Sequence, residues 1–178
     1  MSILKVARMG HPVLRRPARP LDPKEITTPA VQQLIDDMMQ TMREYSGIGL
    51  AAPQVHEGVR LFLAGYEDES AGDREHAPLK VMTLINPEVE PIGEETEEDW
   101  EGCLSIPEIR GRVVRARDVR VKAYDREGAR IDLQAHGYFA RVIQHETDHL
   151  DGVLFIDRMA SFESLAFIEE YSRYWAKE

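Results

Sequence analysis

Two histidines four residues apart enclose a glutamate in the run His145-Glu146-Thr147-Asp148-His149. On a helix, residues four apart stand one turn apart on the same face. Two imidazoles so placed can grip one divalent ion, with the intervening carboxylate beside it as a proton acceptor. With 6 histidines in 178 residues, chance gives about 0.02 such matches per chain, so accident is a poor explanation. The flanking Tyr138, Phe139, Val142, Ile143 and Leu150 make the helix, read as about Tyr138 to Leu150, apolar over much of its surface. Burying His, Glu and His together needs a compensating interaction, and metal coordination supplies one. His11, His56, His76 and His136 have no partner at ligand spacing and are read as satisfied core histidines.

Two histidines leave a metal under-coordinated. No histidine follows His149; Glu163, Glu169 and Glu170 do, on a segment with its own apolar stripe. Cys103, in Glu101-Gly102-Cys103-Leu104-Ser105, is the other candidate. A lone cysteine is by default a small buried hydrophobe. Beside the histidine pair, and after a glycine that allows close backbone approach, the ligand reading is favoured. Three protein ligands leave one position open, as a catalytic site requires. On the residues alone the ion would be zinc. A third segment, Gly47-Ile48-Gly49-Leu50-Ala51-Ala52-Pro53-Gln54-Val55, has small residues that expose the backbone, so an extended ligand could pair with it strand to strand, while Gln54 offers amide donors. A tight turn with a helix cap is the plainer alternative.

The elements that must position these residues are legible in outline. Thr28-Pro29 opens a helix with Val31, Leu34, Ile35, Met38 and Met42 at helical spacing, and Gly47 is the expected stop. The Met cluster reads as core. Val59 to Ala64 and Val81 to Ile85 are short apolar runs, and Val119, Val121 and Ala123 alternate with polar residues before a turn at Asp125-Arg126-Glu127-Gly128 into Ala129 to Leu133. A last helix is expected over Phe162 to Trp175, docking through Phe162, Leu165, Ile168, Tyr171 and Trp175. Glu67 to His76 and the acidic stretch Glu94 to Asp99 read as solvated loops. The expected class is α+β, with antiparallel β-sheets surrounding a central metal-binding α-helix and helices towards both ends. Residues 1–178 are expected to form a single domain.

A net charge of −10 works against wrapping a nucleic-acid backbone, so no DNA binding is expected. One cysteine excludes an internal disulfide and suits a reducing compartment. The first residues lack the apolar core of a signal peptide, and no apolar run reaches the length of a membrane span. The expectation is a cytoplasmic protein with no membrane contact.

Taken together, Gly-Ile-Gly-Leu-Ala-Ala-Pro-Gln at 47–54, Glu-Gly-Cys-Leu-Ser at 101–105 and Gln-His-Glu-Thr-Asp-His at 144–149 resemble, in order and spacing, the three signature motifs of the bacterial-type peptide deformylase family, and His11-Pro12-Val13-Leu14-Arg15 is similar too. The resemblance implies hydrolysis of the N-formyl group from the N-terminal methionine of newly made polypeptides, with release of formate. It implies one divalent metal ion on Cys103, His145 and His149, usually Fe2+, with Zn2+, Ni2+ or Co2+ able to replace it. Glu146 would be the acid–base residue, with Gln54 and the Leu104 backbone N–H donating to the oxyanion. Ile48, Gly49, Tyr138 and Val142 are candidates for the substrate site, and Arg110 for the peptide backbone or carboxylate. Arg141, a poor fit for an apolar wall, is expected at the rim with its guanidinium in water. Partners would be N-formylmethionyl nascent peptides and the ribosome near its exit tunnel. The tail from Glu169 to Glu178 is not basic overall, unlike the basic C-terminal helix that can dock such enzymes. A peptidase cutting internal bonds, or a non-catalytic metal- or peptide-binding module, are the alternatives. Activity on unformylated peptides would favour the first; loss of Glu146 or Gln54 would have favoured the second.

Overall fold

The computed structural model describes residues 2–66 and 79–176; the stretch read as the Glu67 to His76 loop, His76 included, lies outside them. The run Leu61 to Ala64 and its neighbours show why the chain folds as it does. Leu61, Phe62, Leu63 and Ala64 are all fully buried in strand β2 (Leu61–Tyr66). Successive side chains of a strand point to opposite faces, so such a run requires a sheet covered on both sides. Leu61 and Leu63 meet Ile35, Met38 and Met42 of helix α2 (Pro29–Glu44), whereas Phe62 and Ala64 meet Ala140, Ile143 and Leu150 of helix α3 (Gly137–Leu150).

That sheet has five antiparallel strands in the order β1 (Gly49–Ala51), β2, β3 (Leu79–Pro91), β6 (Asp118–Tyr124) and β7 (Arg130–His136). A second sheet joins β4 (Thr96–Cys103), β5 (Ile106–Ala116) and β8 (Ala166–Phe167), again antiparallel. Helix α3 lies between the two, with Cys103, Val113, Leu154 and Phe155 forming the core beside the second sheet. Two short helices, α1 (Pro23–Ile26) and α4 (Phe155–Arg158), and the C-terminal α5 (Ile168–Tyr174) complete the set. The α+β class and the central histidine helix are as the sequence indicates.

Four local expectations are corrected. The left-handed residue that closes α2 is Ser46 (φ 51°), one position before Gly47, whose N–H donates to Met42 O. The acidic stretch is solvated, but from Thr96 it is strand β4, because β5 supplies a full antiparallel partner, with Glu97 opposite Arg115. The C-terminal helix is shorter than its stripe: Ala166 and Phe167 pair instead with Arg110 and Ile109 on the β5 edge. Phe162 is 70% exposed and α5 has no buried residue; of the stripe, Tyr171 and Trp175 lie against Trp100. His11, His56 and His136 are exposed surface residues, the first two edge-to-face with each other and the third paired with Asp118 at 2.7 Å. No helix among the described residues is long and apolar enough to cross a membrane.

Candidate active site

Cys103, His145 and His149 converge from two elements. The histidines project from one face of α3, and Cys103 ends β4, where a two-residue turn, Leu104-Ser105, returns the chain into β5. Their ligand atoms all lie within 4.8 Å of one another, with Cys103 Sγ 3.2 Å from His149 Nε2. All three are buried. Burial alone would raise the Cys103 thiol, but His149 and His145 hold it well below its ordinary range, so the thiolate is the favoured form. One thiolate and two imidazoles gathered this closely are a donor set that fits a divalent transition ion.

The orientation of His145 is fixed from behind. Its Nδ1 lies 2.8 Å from Glu101 Oε2. An ionised carboxylate only accepts, so Nδ1 carries a proton and the ring is held with Nε2 towards Cys103. Glu101 is itself the centre of a buried charge network. Arg115 donates to both its oxygens (2.9 and 3.0 Å), and Arg141 donates to Oε1 (2.9 Å). Arg115 also donates to Asp148 at 2.6 Å, and Arg158 to Asp148 at 2.7 Å. Burial by itself would raise the Glu101 carboxyl, but His145 and Arg115 hold it far below the usual carboxylate range. Buried charges of this kind persist only where every one is paired.

Glu146 stands apart from that network. It is buried, and its Oε2 has no hydrogen-bond partner. Burial, the largest influence, raises its pKa to about 7 despite the neighbouring histidines. A carboxyl so poised can both take and return a proton near neutral pH. Room for it depends on Gly49: a β-carbon there would sit 2.3 Å from Glu146 Oε1. Gln54 is held by its own backbone neighbour, since the Ala51 N–H donates to Gln54 Oε1 at 2.8 Å. Its Nε2 therefore faces Ser105 Oγ (3.2 Å) and Cys103 Sγ (3.5 Å).

Gln54, Glu101, Cys103, His145 and Glu146 line a cleft of about 830 Å³. Two sheet edges, Gly49 of β1 and Trp100 to Cys103 of β4, line it. Among the described strands β1 pairs only with β2, and β4 only with β5, so each leaves an edge for an extended ligand.

A family model for polypeptide deformylase matches residues 3–164. The peptide deformylase of Salinibacter ruber is 47% identical over 163 residues, which cover 90% of this chain and 82% of that one. Peptide deformylase 1 of Bordetella pertussis is 42% identical over 166 residues, 92% of each chain. Among solved structures, a class I type b peptide deformylase from Acinetobacter baumannii with Met-Ala-Ser bound superposes with a TM-score of 0.83 at 35% identity, covering 89% of this chain and all of that one.

The chain belongs to the polypeptide deformylase family.

The reaction that goes with the family is metal-dependent removal of the formyl group from the N-terminus of new polypeptides. Cys103, His145, His149, Glu146 and Gln54 stand together as the sequence indicates, and Ile48, Gly49, Leu104, Tyr138, Val142 and Arg110 all line the same cleft. Arg110 lies across Gly102, which it faces in register, and fills the space that the missing side chain leaves. Arg141 is the correction. It is only 4% exposed and does not reach for water. Its guanidinium donates to Glu101 Oε1, to Val113 O (2.8 Å) and to Glu97 O (2.7 Å), three fixed acceptors that make burial tolerable. Sequence reasoning gave no role to Glu101, Arg115, Asp148 or Ser105. Glu101 and Ser105 were within reach, as the two polar residues flanking Cys103 in its own motif; Arg115 had no comparable signal.

Proposed function

We propose that this chain hydrolyses the N-formyl amide of N-formylmethionyl peptides, with Glu146 as base and then acid. The observation that carries the reading is Glu146, buried with its Oε2 unpartnered beside the Cys103–His145–His149 cluster and lining a cleft with two open strand edges. Cys103, His145 and His149 would hold one divalent ion, which when bound polarises the formyl oxygen and acidifies water. Fe2+ is the ion proposed, because the thiolate in the donor set suits a transition metal better than magnesium or calcium and the family usually carries ferrous iron.

The residues of the chain then act in sequence. A peptide lies along the edges of β1 and β4, its methionine side chain against Ile48, Tyr138 and Val142. Arg110 holds the peptide backbone or its carboxylate. Glu146 takes a proton from the attacking water as its oxygen bonds to the formyl carbon. The oxyanion of the tetrahedral intermediate receives hydrogen bonds from Gln54 Nε2 and the Leu104 backbone N–H; one such donor is worth about 3 kcal/mol of barrier. Glu146 passes its proton to the amine nitrogen, the carbon–nitrogen bond breaks, and formate and a free N-terminus leave. Formyl carries a hydrogen where any larger acyl group carries carbon, and a site as close as Gly49 against Glu146 favours the smaller group.

On this reading residues 1–178 work as one catalytic domain in the cytoplasm, on nascent chains emerging from the ribosome. The test is formate release from formyl-Met-Ala-Ser by protein prepared anaerobically with Fe2+, beside acetyl-Met-Ala-Ser and unblocked Met-Ala-Ser. Release from the formyl peptide alone is expected. Comparable hydrolysis of the acetylated peptide, or cleavage inside the unblocked one, overturns the assignment.

A further inference from the structure

Strand β4 is flanked by different helices on its two faces. Glu101 and Cys103 point to α3, where they meet His145 and His149. Trp100, one position away, points to the opposite face. There its ring lies 4.9 Å from that of Tyr171 and 5.8 Å from that of Trp175, with the Arg112 guanidinium 5.3 Å above it. This second face is the one that α5 covers, tied down by the pairing of Ala166 and Phe167 with β5. Ile168 and Tyr171 of α5 line the cleft together with Trp100 and Arg110.

A peptide laid along the β4 edge must obey the alternation of a strand: consecutive side chains go to opposite faces. If the methionine enters the α3 side, between Tyr138 and Val142, the next side chain is directed to the α5 side. We propose that α5 builds a selective site for the residue following the methionine, in which Ile168 and Tyr171, backed by Trp100, favour a large apolar side chain. The proposal rests on the deformylase reading above and extends it to the second position of the substrate. Ile168 is 37% exposed in the described structure, which is apolar surface left for a ligand to cover. The tail of the chain thereby becomes part of the substrate cleft.

The experiment compares formyl-Met-Leu-Ser with formyl-Met-Gly-Ser on the full chain loaded with Fe2+, in the parent, in Ile168→Ala/Tyr171→Ala and in Ile168→Lys. The parent should bind the leucine peptide with a KM about tenfold below that of the glycine peptide. The double variant should bring that ratio to about two. A selective site is read in KM, and the ratio of kcat values should stay the same. Ile168→Lys, at a position open enough to carry a charge, should invert the preference and favour formyl-Met-Glu-Ser over the leucine peptide by about fivefold. Both tryptophans of the chain, Trp100 and Trp175, stand at this corner, so their emission reports binding of the same peptides to Glu146→Gln protein without turnover. Release of formate with a leucine-to-glycine ratio near one in the parent, or a ratio unmoved by the variants, overturns this inference and leaves the activity standing. No release from any formyl peptide overturns the activity and the inference with it.

Discussion

The inner and outer walls of the cleft are built by opposite means. At the inner end Glu101, Arg115, Arg141 and Asp148 are each less than 10% exposed, and their charges are joined by direct ion pairs behind His145. At the outer end α5 has no buried residue, and it is held by a two-residue strand and a few aromatic contacts. The difference follows from what each end must do. A metal ligand and a proton acceptor have to stay within a fraction of an ångström of their working positions, which demands locked second partners. A wall that meets variable side chains needs apolar surface more than fixed geometry. Fixed chemistry and the proposed side-chain recognition are thus separated along one cleft.

The sharpest way to probe the inner wall is at Glu146, whose Oε2, like His149 Nδ1, has no hydrogen-bond partner among the described residues. Glu146→Gln keeps the shape and removes the proton acceptor. A loss of kcat of about a thousandfold is expected with metal stoichiometry unchanged, read by formate assay and metal analysis on the same sample. Turnover within tenfold of the parent would remove Glu146 from the mechanism.

Glu101→Ala tests whether the network behind His145 is needed for both folding and ligation. It leaves Arg115 with Asp148 as its remaining ion pair and Arg141 with backbone acceptors alone, and it frees the imidazole to turn. A loss of about 3–5 kcal/mol in denaturant unfolding is expected, with metal affinity weakened ten- to a hundredfold in chelator competition. Full stability with weakened metal would make Glu101 a ligand-orienting residue alone. Arg141→Leu should cost less, about 2 kcal/mol, because Glu101 keeps Arg115 and His145 as partners while Val113 O and Glu97 O each lose a donor. A cost below about 0.5 kcal/mol is what a residue at the rim would give, and it would return Arg141 to where the sequence had put it.

That misplacement shows what a sequence can and cannot carry. His145, Glu146 and His149 were legible because their relation is local: one helical turn fixes it. Cys103 and Gln54 came from motif company, and the antiparallel class from strand alternation. Arg141 sits one turn before His145, so helical arithmetic rightly brought it beside the site. Its acceptors, though, lie 28 to 44 residues away, on strands whose register no periodicity reveals. Strand β5 was missed for a related reason. Between Gly102 and Cys103 its register slips, with Glu108 at φ 64°, and the irregular stretch hides the alternation of Val113 and Arg115. In the tail the apolar period was real, but a free strand edge on β5 claimed Ala166 and Phe167 before the helix could start.

The outer wall yields the smallest prediction. Phe162 belonged to the expected docking stripe, and a docked phenylalanine costs about 3–5 kcal/mol when truncated. At 70% exposure, outside both β8 and α5, it has little contact to lose. Phe162→Ser should therefore change unfolding stability by no more than about 0.5 kcal/mol. It should also leave metal binding unaltered, because the ligands are anchored on α3 and β4 and not on the tail. A loss of 2 kcal/mol or more would mean that the tail packs against the body more closely than its short elements allow, and that the contrast between a locked inner wall and a loosely held outer one is overstated.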